Sequence, residues 1–194
     1  MAGVPKYTVV LDACVLYPAK LRNLLLCLAE RGAFHARWTP DIQSEWIRSL
    51  LKKGKAGITE ERLLRTAQQM IDAIEDSVID GYQYLINSLE LPDPDDRHVL
   101  AAAIVGHADA IVTFNLTDFP AEKIMADHKI EIIHPDDFLI FQYDLNNIAF
   151  LTTIKEMREQ MKKPPLTAEQ LTNSFAVAGL PQTAARMQEA SELI

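Results

Sequence analysis

The sequence predicts an α/β protein with a central parallel sheet, helices on both faces of that sheet, and a helical appendage. Segments with strand character alternate with segments of helical periodicity along most of the chain, and this alternation is typical of a parallel sheet. The strand candidate at residues 7–11 is apolar on both faces, which suits a central covered strand. Strand-like segments end before residue 144, so we divide the 194 residues into a principal domain, 1–143, and a helical extension, 144–194.

The first strand candidate runs into a single carboxylate, Asp12. In open α/β sheets, ligands bind beyond the carboxyl ends of the strands, where the winding of the chain reverses. Asp12 is therefore expected to face such a site. A lone acid at a strand end often only caps the next helix, so the functional interpretation depends on other acids that converge on it.

The next acid of interest lies on a predicted helix that begins at Pro40, after a helix at about 18–31 and a short strand at 34–38. Thr39 is the expected N-cap. Glu45 stands at the border of the apolar stripe of this helix, from where its carboxylate can reach a cleft. A solvated glutamate is the simpler alternative.

A cluster of Pro and Asp at residues 92–96 predicts a loop, and the alanine-rich run after it predicts a closely packed helix. On that helix Asp96 shares a face with Leu100 and Ala103. We therefore expect Asp96 at the cleft and expect Asp95 to act as a cap. A purely capping role for all the acids of this loop remains the alternative.

Another apolar strand is predicted at residues 108–114, followed by a last strand at 131–134. The carboxyl end of the strand at 108–114 brings Thr113, Asn115 and Asp118 together. Since parallel strands end at the same edge of a sheet, these polar side chains are expected near Asp12.

Composition narrows the class of protein. The formal net charge of −8 argues against binding of nucleic acid by the whole surface. A local basic patch remains compatible, and residues 48–65, which include Lys55, are the most basic stretch.

No apolar run approaches the roughly 20 residues of a membrane helix, and the N-terminus lacks a signal-peptide pattern. We expect a cytoplasmic protein without a membrane segment, in which Cys14 and Cys27 are buried, unreactive thiols in apolar surroundings.

Four motifs occur in order: a strand that ends in Asp12, a helix that carries Glu45, the run from Pro92 to Ala103, and the pattern Thr-x-Asn-x-x-Asp-Phe at 113–119. Together they resemble a PIN-domain ribonuclease of the VapC toxin type, over roughly residues 7–143. The helical extension, with a linker at 162–165, resembles one found on longer members. Phe114 stands where that family often has Arg.

The resemblance implies a three-layer PIN-like nuclease domain at residues 1–143. It implies an endoribonuclease that depends on Mg²⁺ or Mn²⁺, acts on RNA, forms a homodimer and is inhibited by a cognate antitoxin. The implied catalytic acids are Asp12, Glu45, Asp96 and Asp118. Three of them, Asp12, Asp96 and Asp118, would hold metal, since hard cations prefer oxygen ligands.

Other residues have supporting roles, which the resemblance implies for Thr113 and Asn115 and which chemistry and helical spacing favour for Glu45, Arg48 and Lys52. Thr113 and Asn115 would stand beside the acids as contacts to the ligands or to metal-bound water. Glu45 would bind through water or assist as a base. Arg48 and Lys52, one and two helical turns beyond Glu45, are candidate contacts to the RNA phosphates.

Three rival classes fit less well. A phospho-accepting receiver domain needs an adjacent acid pair after the first strand and a lysine at the end of a late strand, and residues 111–119 contain no lysine. A haloacid-dehalogenase-type phosphatase needs a second aspartate at position 14, where this chain has Cys14. A non-catalytic module that binds RNA or protein with the same fold remains the alternative, and the complete set of four acids argues against it.

Overall fold

The protein is described by a computed structural model that covers residues 6–54, 57–162 and 164–194. Four short strands form one sheet: β1 Thr8–Leu11, β2 His35–Arg37, β3 Ala110–Val112 and β4 Glu131–Ile133. All the pairings are parallel, and the spatial order is β2-β1-β3-β4. The predicted three-layer α/β class is confirmed. The N-terminal segment 1–5, Lys55 in the basic stretch and Lys163 in the linker lie outside the described residues.

Helices connect and cover the strands. Within the described residues the α-helices are α1 Ala13–Leu16, α2 Ala19–Glu30, α3 Pro40–Lys52, α4 Glu60–Ala73, α5 Gln83–Ile86, α6 Arg97–Val105, α7 Ala121–His128, α8 Pro135–Leu145, α9 Asn147–Gln160, α10 Ala168–Val177 and α11 Pro181–Glu189. The predicted N-cap of α3 is confirmed, because Thr39 Oγ1 accepts a hydrogen bond from the Ile42 amide at 3.1 Å. None of the described helices combines the length and the apolar character that a bilayer span requires.

The core is built around the two central strands. The residues of β3 are fully buried, and so are Val9, Val10 and Leu11 of β1. Helix α6 packs against both strands, and its three alanines, Ala101–Ala103, have no exposed surface. Small side chains let the helix backbone approach the sheet closely, so the alanine run reflects packing density at this contact.

The pairing of β1 with β3 determines what stands at the carboxyl edge of the sheet. Leu11 lies opposite Val112, so the next residues on the two strands, Asp12 and Thr113, are neighbours. The Asp12 amide donates to the Val112 carbonyl at 3.2 Å and extends the pairing by one bond. Because β1 leads to β2 on one side and pairs with β3 on the other, the winding reverses here.

The C-terminal helices are docked onto α8 through a buried carboxylate, Asp136. Its oxygens accept hydrogen bonds from the Gln182 amide at 2.8 Å and from the Thr183 amide and hydroxyl at 2.8 and 2.7 Å. A left-handed turn at Gly179, with φ of 86°, separates α10 from α11. Helix α8 runs across the predicted boundary between residues 143 and 144, and that division stays a prediction.

This docking contact gives a stability prediction. Asp136→Asn replaces one accepting oxygen by an amide that faces a backbone donor, so the variant should lose about 1–3 kcal/mol of unfolding free energy. Urea denaturation measures the loss, and limited proteolysis should show faster cleavage between α9 and α11. Asp137→Asn is the matched control. Asp137 is exposed and accepts one hydrogen bond from the Gln182 side chain, so its loss should cost less than about 0.5 kcal/mol.

Candidate active site

Asp12 is the most deeply buried acid of the predicted set, with 5% of its surface exposed. One carboxylate oxygen accepts the Ala13 amide at 2.5 Å and so caps the short helix α1. The other accepts the Thr113 hydroxyl at 2.6 Å and the Cys14 thiol at 3.1 Å. Three donors on one carboxylate fix its orientation.

Asp96 is held by Asn115, which follows β3 at the carboxyl edge of the sheet. Asp96 ends a 3₁₀ turn, Pro94–Asp96, directly before α6. The Asn115 side-chain amide donates to Asp96 Oδ2 at 2.8 Å, and the Asn115 backbone amide donates to Thr113 Oγ1 at 2.9 Å. Thr113 and Asn115 therefore contact the two predicted main ligands, Asp12 and Asp96, and link them through one short segment.

A third acid, Asp93, joins Asp96 and Asp118 in a cluster that the sequence did not single out. One carboxylate oxygen from each of the three lies within 4.8 Å of the other two. Asp93 also caps the 3₁₀ turn, because its Oδ1 accepts the Asp95 amide at 2.9 Å. The prediction that Asp95 supplies the cap is wrong, since its side chain is exposed and Asp93 takes that place.

Glu45 reaches the same region from α3, and a histidine holds it there. Glu45 Oε1 pairs with His98 Nε2 at 2.9 Å, and the His98 side chain is 11% exposed. Burial alone lowers the pKa of His98, but its hydrogen bond to Glu45 and the charges of Glu45, Asp41 and Asp12 raise that pKa above its ordinary value. The solvated alternative for Glu45 is therefore not what the structure has. His98, two residues after Asp96, was missed by the sequence reasoning.

These side chains enclose an open cleft of about 450 Å³, which lies at the switch point between β1 and β3. Its lining includes Asp12, Glu45, Asp96 and Asn115, together with Cys14, Tyr17, Ala13 and Ser49. We call it the acidic cleft. Asp118 adjoins it through Asp96. Arg48 and Lys52 are exposed on α3 and do not line this cleft.

Cys14 has surroundings that the sequence did not predict. It is half-buried rather than buried, it lines the acidic cleft, and its thiol touches Asp12. Burial and the charge of Asp12 raise the pKa of Cys14 to about 12, so the thiol stays protonated and unreactive, as predicted. The expectation of a purely apolar setting is wrong. Phe114 follows β3 and stands where arginine is common in the family. Its ring packs edge-on against the His134 ring, with 5.2 Å between the two ring centres.

The acids repel each other in the absence of a counter-charge. Partial burial raises the pKa of Asp96 to about 6, and the charges of Asp12, Asp93 and Asp118 add to this effect. A carboxylate that resists ionisation among other carboxylates gains most from a bound cation. The candidate metal-ligand atoms of these acids are all carboxylate oxygens, which suit Mg²⁺ or Mn²⁺. Oxygens on opposite sides of one such ion lie about 4.2 Å apart, and this separation is compatible with the oxygens of Asp93, Asp96 and Asp118, which lie within 4.8 Å of one another.

Comparison with known proteins agrees with this geometry. The model of the PIN domain family matches residues 8–117, more than half of the chain, and the model described as the VapC50 C-terminal domain matches residues 135–189. The chain therefore belongs to the PIN domain family, and its predicted resemblance to the VapC type, with the helical extension, is confirmed.

One relative among the curated proteins is a Mycobacterium tuberculosis protein that is named as a candidate ribonuclease VapC50. The chain is 41% identical to it over 106 residues, which cover 55% of this chain and 61% of the relative. The matched region thus spans less than two thirds of that protein's length. No solved structure matched the chain.

The raised pKa of Asp96 gives a prediction for stability against pH. In the folded protein Asp96 keeps its proton up to about pH 6, whereas the unfolded chain releases it near 3.8. The contribution of protonated Asp96 to the free energy of unfolding is fully present below about pH 4, and it is lost as the pH rises through about 6. Without divalent metal, Asp96→Asn should therefore gain stability relative to wild type across that window.

Denaturation curves in chelator at several pH values measure this difference. Asp95→Asn removes the same charge from the same turn, but its exposed side chain lies outside the cluster. For that control the difference from wild type should not grow between about pH 4 and 6.5. Parallel behaviour of the two variants would contradict the repulsion assigned to Asp96.

Proposed function

We propose that this protein is a divalent-metal-dependent endoribonuclease that hydrolyses phosphodiester bonds of RNA. The observation that carries the proposal is the convergence of Asp12, Glu45, Asp96 and Asp118 on one edge of the sheet, where Asp96 resists ionisation. Membership in the PIN domain family and the relative named as a candidate ribonuclease support it.

In this proposal Asp12 and Asp96 are the main ligands of Mg²⁺ or Mn²⁺, and Asp118 holds a second ion or orients water. Asp93 joins them as a further candidate ligand, from its position in the cluster. A divalent cation at this place would lower the pKa of an attacking water and stabilise the leaving 3′ oxygen.

The other residues orient these groups. Thr113 and Cys14 hold one oxygen of Asp12, and Asn115 holds one oxygen of Asp96. His98 holds Glu45 at the wall of the cleft. There Glu45 would bind the metal ion through a water molecule or accept the proton of the attacking water. A protonated His98 balances one negative charge beside the acids, which reduces the repulsion that a phosphate would meet.

The biological assignment follows from the VapC resemblance. We propose that the protein is the toxin of a toxin–antitoxin pair, works in the cytoplasm, forms a homodimer and is inhibited by a cognate antitoxin. Arg48 and Lys52 stay predicted contacts to RNA phosphates, and both are exposed on the helix that carries Glu45.

Cleavage of purified RNA tests the catalytic proposal. Wild type should cut structured RNA with Mn²⁺ and stop in excess chelator. Asp12→Asn and Asp96→Asn should each reduce the rate by at least about 100-fold, because each loses one ligand charge with little change in volume. Asp95→Asn should cut like wild type, which controls for loss of charge.

The same cleavage assay distinguishes a ribonuclease from the alternative function, a non-catalytic binding module. RNA that wild type binds with or without Mn²⁺ but never cleaves would identify a binding module with a PIN fold. Cleavage that persists in excess chelator would contradict the metal mechanism instead.

Expression in bacteria tests the toxin assignment. Wild type alone should slow growth, and Asp96→Asn should not, because removal of a ligand stops RNA cleavage. Immunoblots at matched induction check that both proteins accumulate equally. Equal growth at equal protein levels would refute the toxin role.

A further inference from the structure

A second cleft of about 520 Å³ adjoins the acidic cleft, and Tyr17 lines both. Three cationic residues line the second cleft: Arg22, Lys53 and Arg62. Its described lining contains no acid. In a chain with a net charge of −8, these three cations lie together beside a cluster of carboxylates. We call this second cleft the basic cleft.

Arg22 is the most informative of the three, because it is 6% exposed. Its Nη1 donates to the Leu16 carbonyl at 2.7 Å, and its guanidinium carbon lies 4.6 Å from the centre of the Trp46 ring. Its Nε has no hydrogen-bond partner and the side chain pairs with no carboxylate within the described residues. Burial of a charge without an opposite charge destabilises a protein unless an anion binds there.

Lys53 and Arg62 are placed differently from the ordinary surface cations of the same part of the chain. The Lys53 ammonium lies 4.9 Å from the centre of the Tyr17 ring, and Arg62 Nη1 donates to the Gly57 carbonyl. Neither forms an ion pair with an acid of the described chain. Arg65, three residues after Arg62, does not line the cleft and pairs with Glu61 at 3.0 Å.

We propose that the basic cleft binds a backbone phosphate of the RNA strand whose scissile phosphate lies in the acidic cleft. The proposal rests on the proposed ribonuclease function. The shared wall at Tyr17 makes the two clefts neighbours, so one strand can occupy both. The carboxylates repel a phosphate until a cation binds, and the attraction that holds the strand must therefore come from outside the acidic cleft.

The test measures binding of a labelled single-stranded RNA by fluorescence anisotropy in chelator, so that no cleavage occurs. Lys53→Ala and Arg62→Ala should each weaken binding by about tenfold. Each should also flatten the slope of log affinity against log salt by about 0.7, because one phosphate is no longer neutralised. Arg65→Ala is the matched control for Arg62→Ala, with the same charge change on the same helix, and should bind like wild type.

Two further comparisons sharpen the result. Lys52→Ala alters the neighbouring lysine, which the sequence alone favoured, so a larger effect of Lys53→Ala supports the basic cleft. Arg22→Met keeps most of the side-chain volume and removes the buried charge. It should lose RNA affinity, and its thermal melt shows whether it folds. If Arg22→Met does not fold, the RNA affinities of Lys53→Ala and Arg62→Ala decide whether the basic cleft binds RNA.

Equal affinity and equal salt slope for Arg62→Ala, Lys53→Ala and Arg65→Ala would overturn the proposal. So would wild-type binding of inorganic phosphate together with an RNA affinity that no variant changes, because a free anion would then be the ligand. Failure of the ribonuclease function has a different signature. RNA that stays intact with Mn²⁺, while its binding still depends on Lys53 and Arg62, would refute catalysis and support the phosphate site.

Discussion

The candidate site depends on the parallel pairing of β1 with β3. This pairing sets Asp12 beside Thr113 at the carboxyl edge of the sheet, where a hydrogen bond of 2.6 Å joins their side chains. From Thr113 the chain continues to Asn115, which holds Asp96. A shift of one residue in the pairing would turn Thr113 to the other face and separate the two acids. The fully buried side chains of both strands keep this register fixed.

Electrostatics imposes the second constraint. Several carboxylates share one edge of the sheet, and burial together with their mutual repulsion raises the pKa of Asp96. The protein offsets this repulsion with oriented donors from Thr113, Cys14, Ala13 and Asn115. These donors hold the acids in place without a cation, so the proposed metal site would lose little conformational freedom on binding. If the acids hold a metal as proposed, metal affinity and folding stability would be coupled through the same carboxylates.

Local sequence signals predicted the fold class and several residues of the candidate site. Strand and helix periodicity depends on neighbours along the chain, so the alternation and the cap at Thr39 could be predicted directly. Asp12 and Thr113 could also be placed, because parallel strands end at one edge.

The remainder of the site depends on contacts between distant segments, and sequence spacing does not specify them. The pairing of His98 with Glu45 joins α6 to α3. The burial of Arg22 against Trp46 depends on how α2 meets α3. Asp93 could have been proposed from the sequence, because the Asp-Pro-Asp-Asp run at residues 93–96 places several acids in one turn. No local signal favoured its orientation over that of Asp95.

The central claim is that these acids are gathered to hold a divalent cation. Crystals grown with Mn²⁺ and measured near the manganese absorption edge test it directly, because anomalous scattering locates the ion without assumptions about activity. We predict a peak within coordination distance of Asp96 and of at least one of Asp12, Asp93 and Asp118. Crystals that diffract well and contain no such peak at saturating Mn²⁺, or a peak held by other residues, would contradict it.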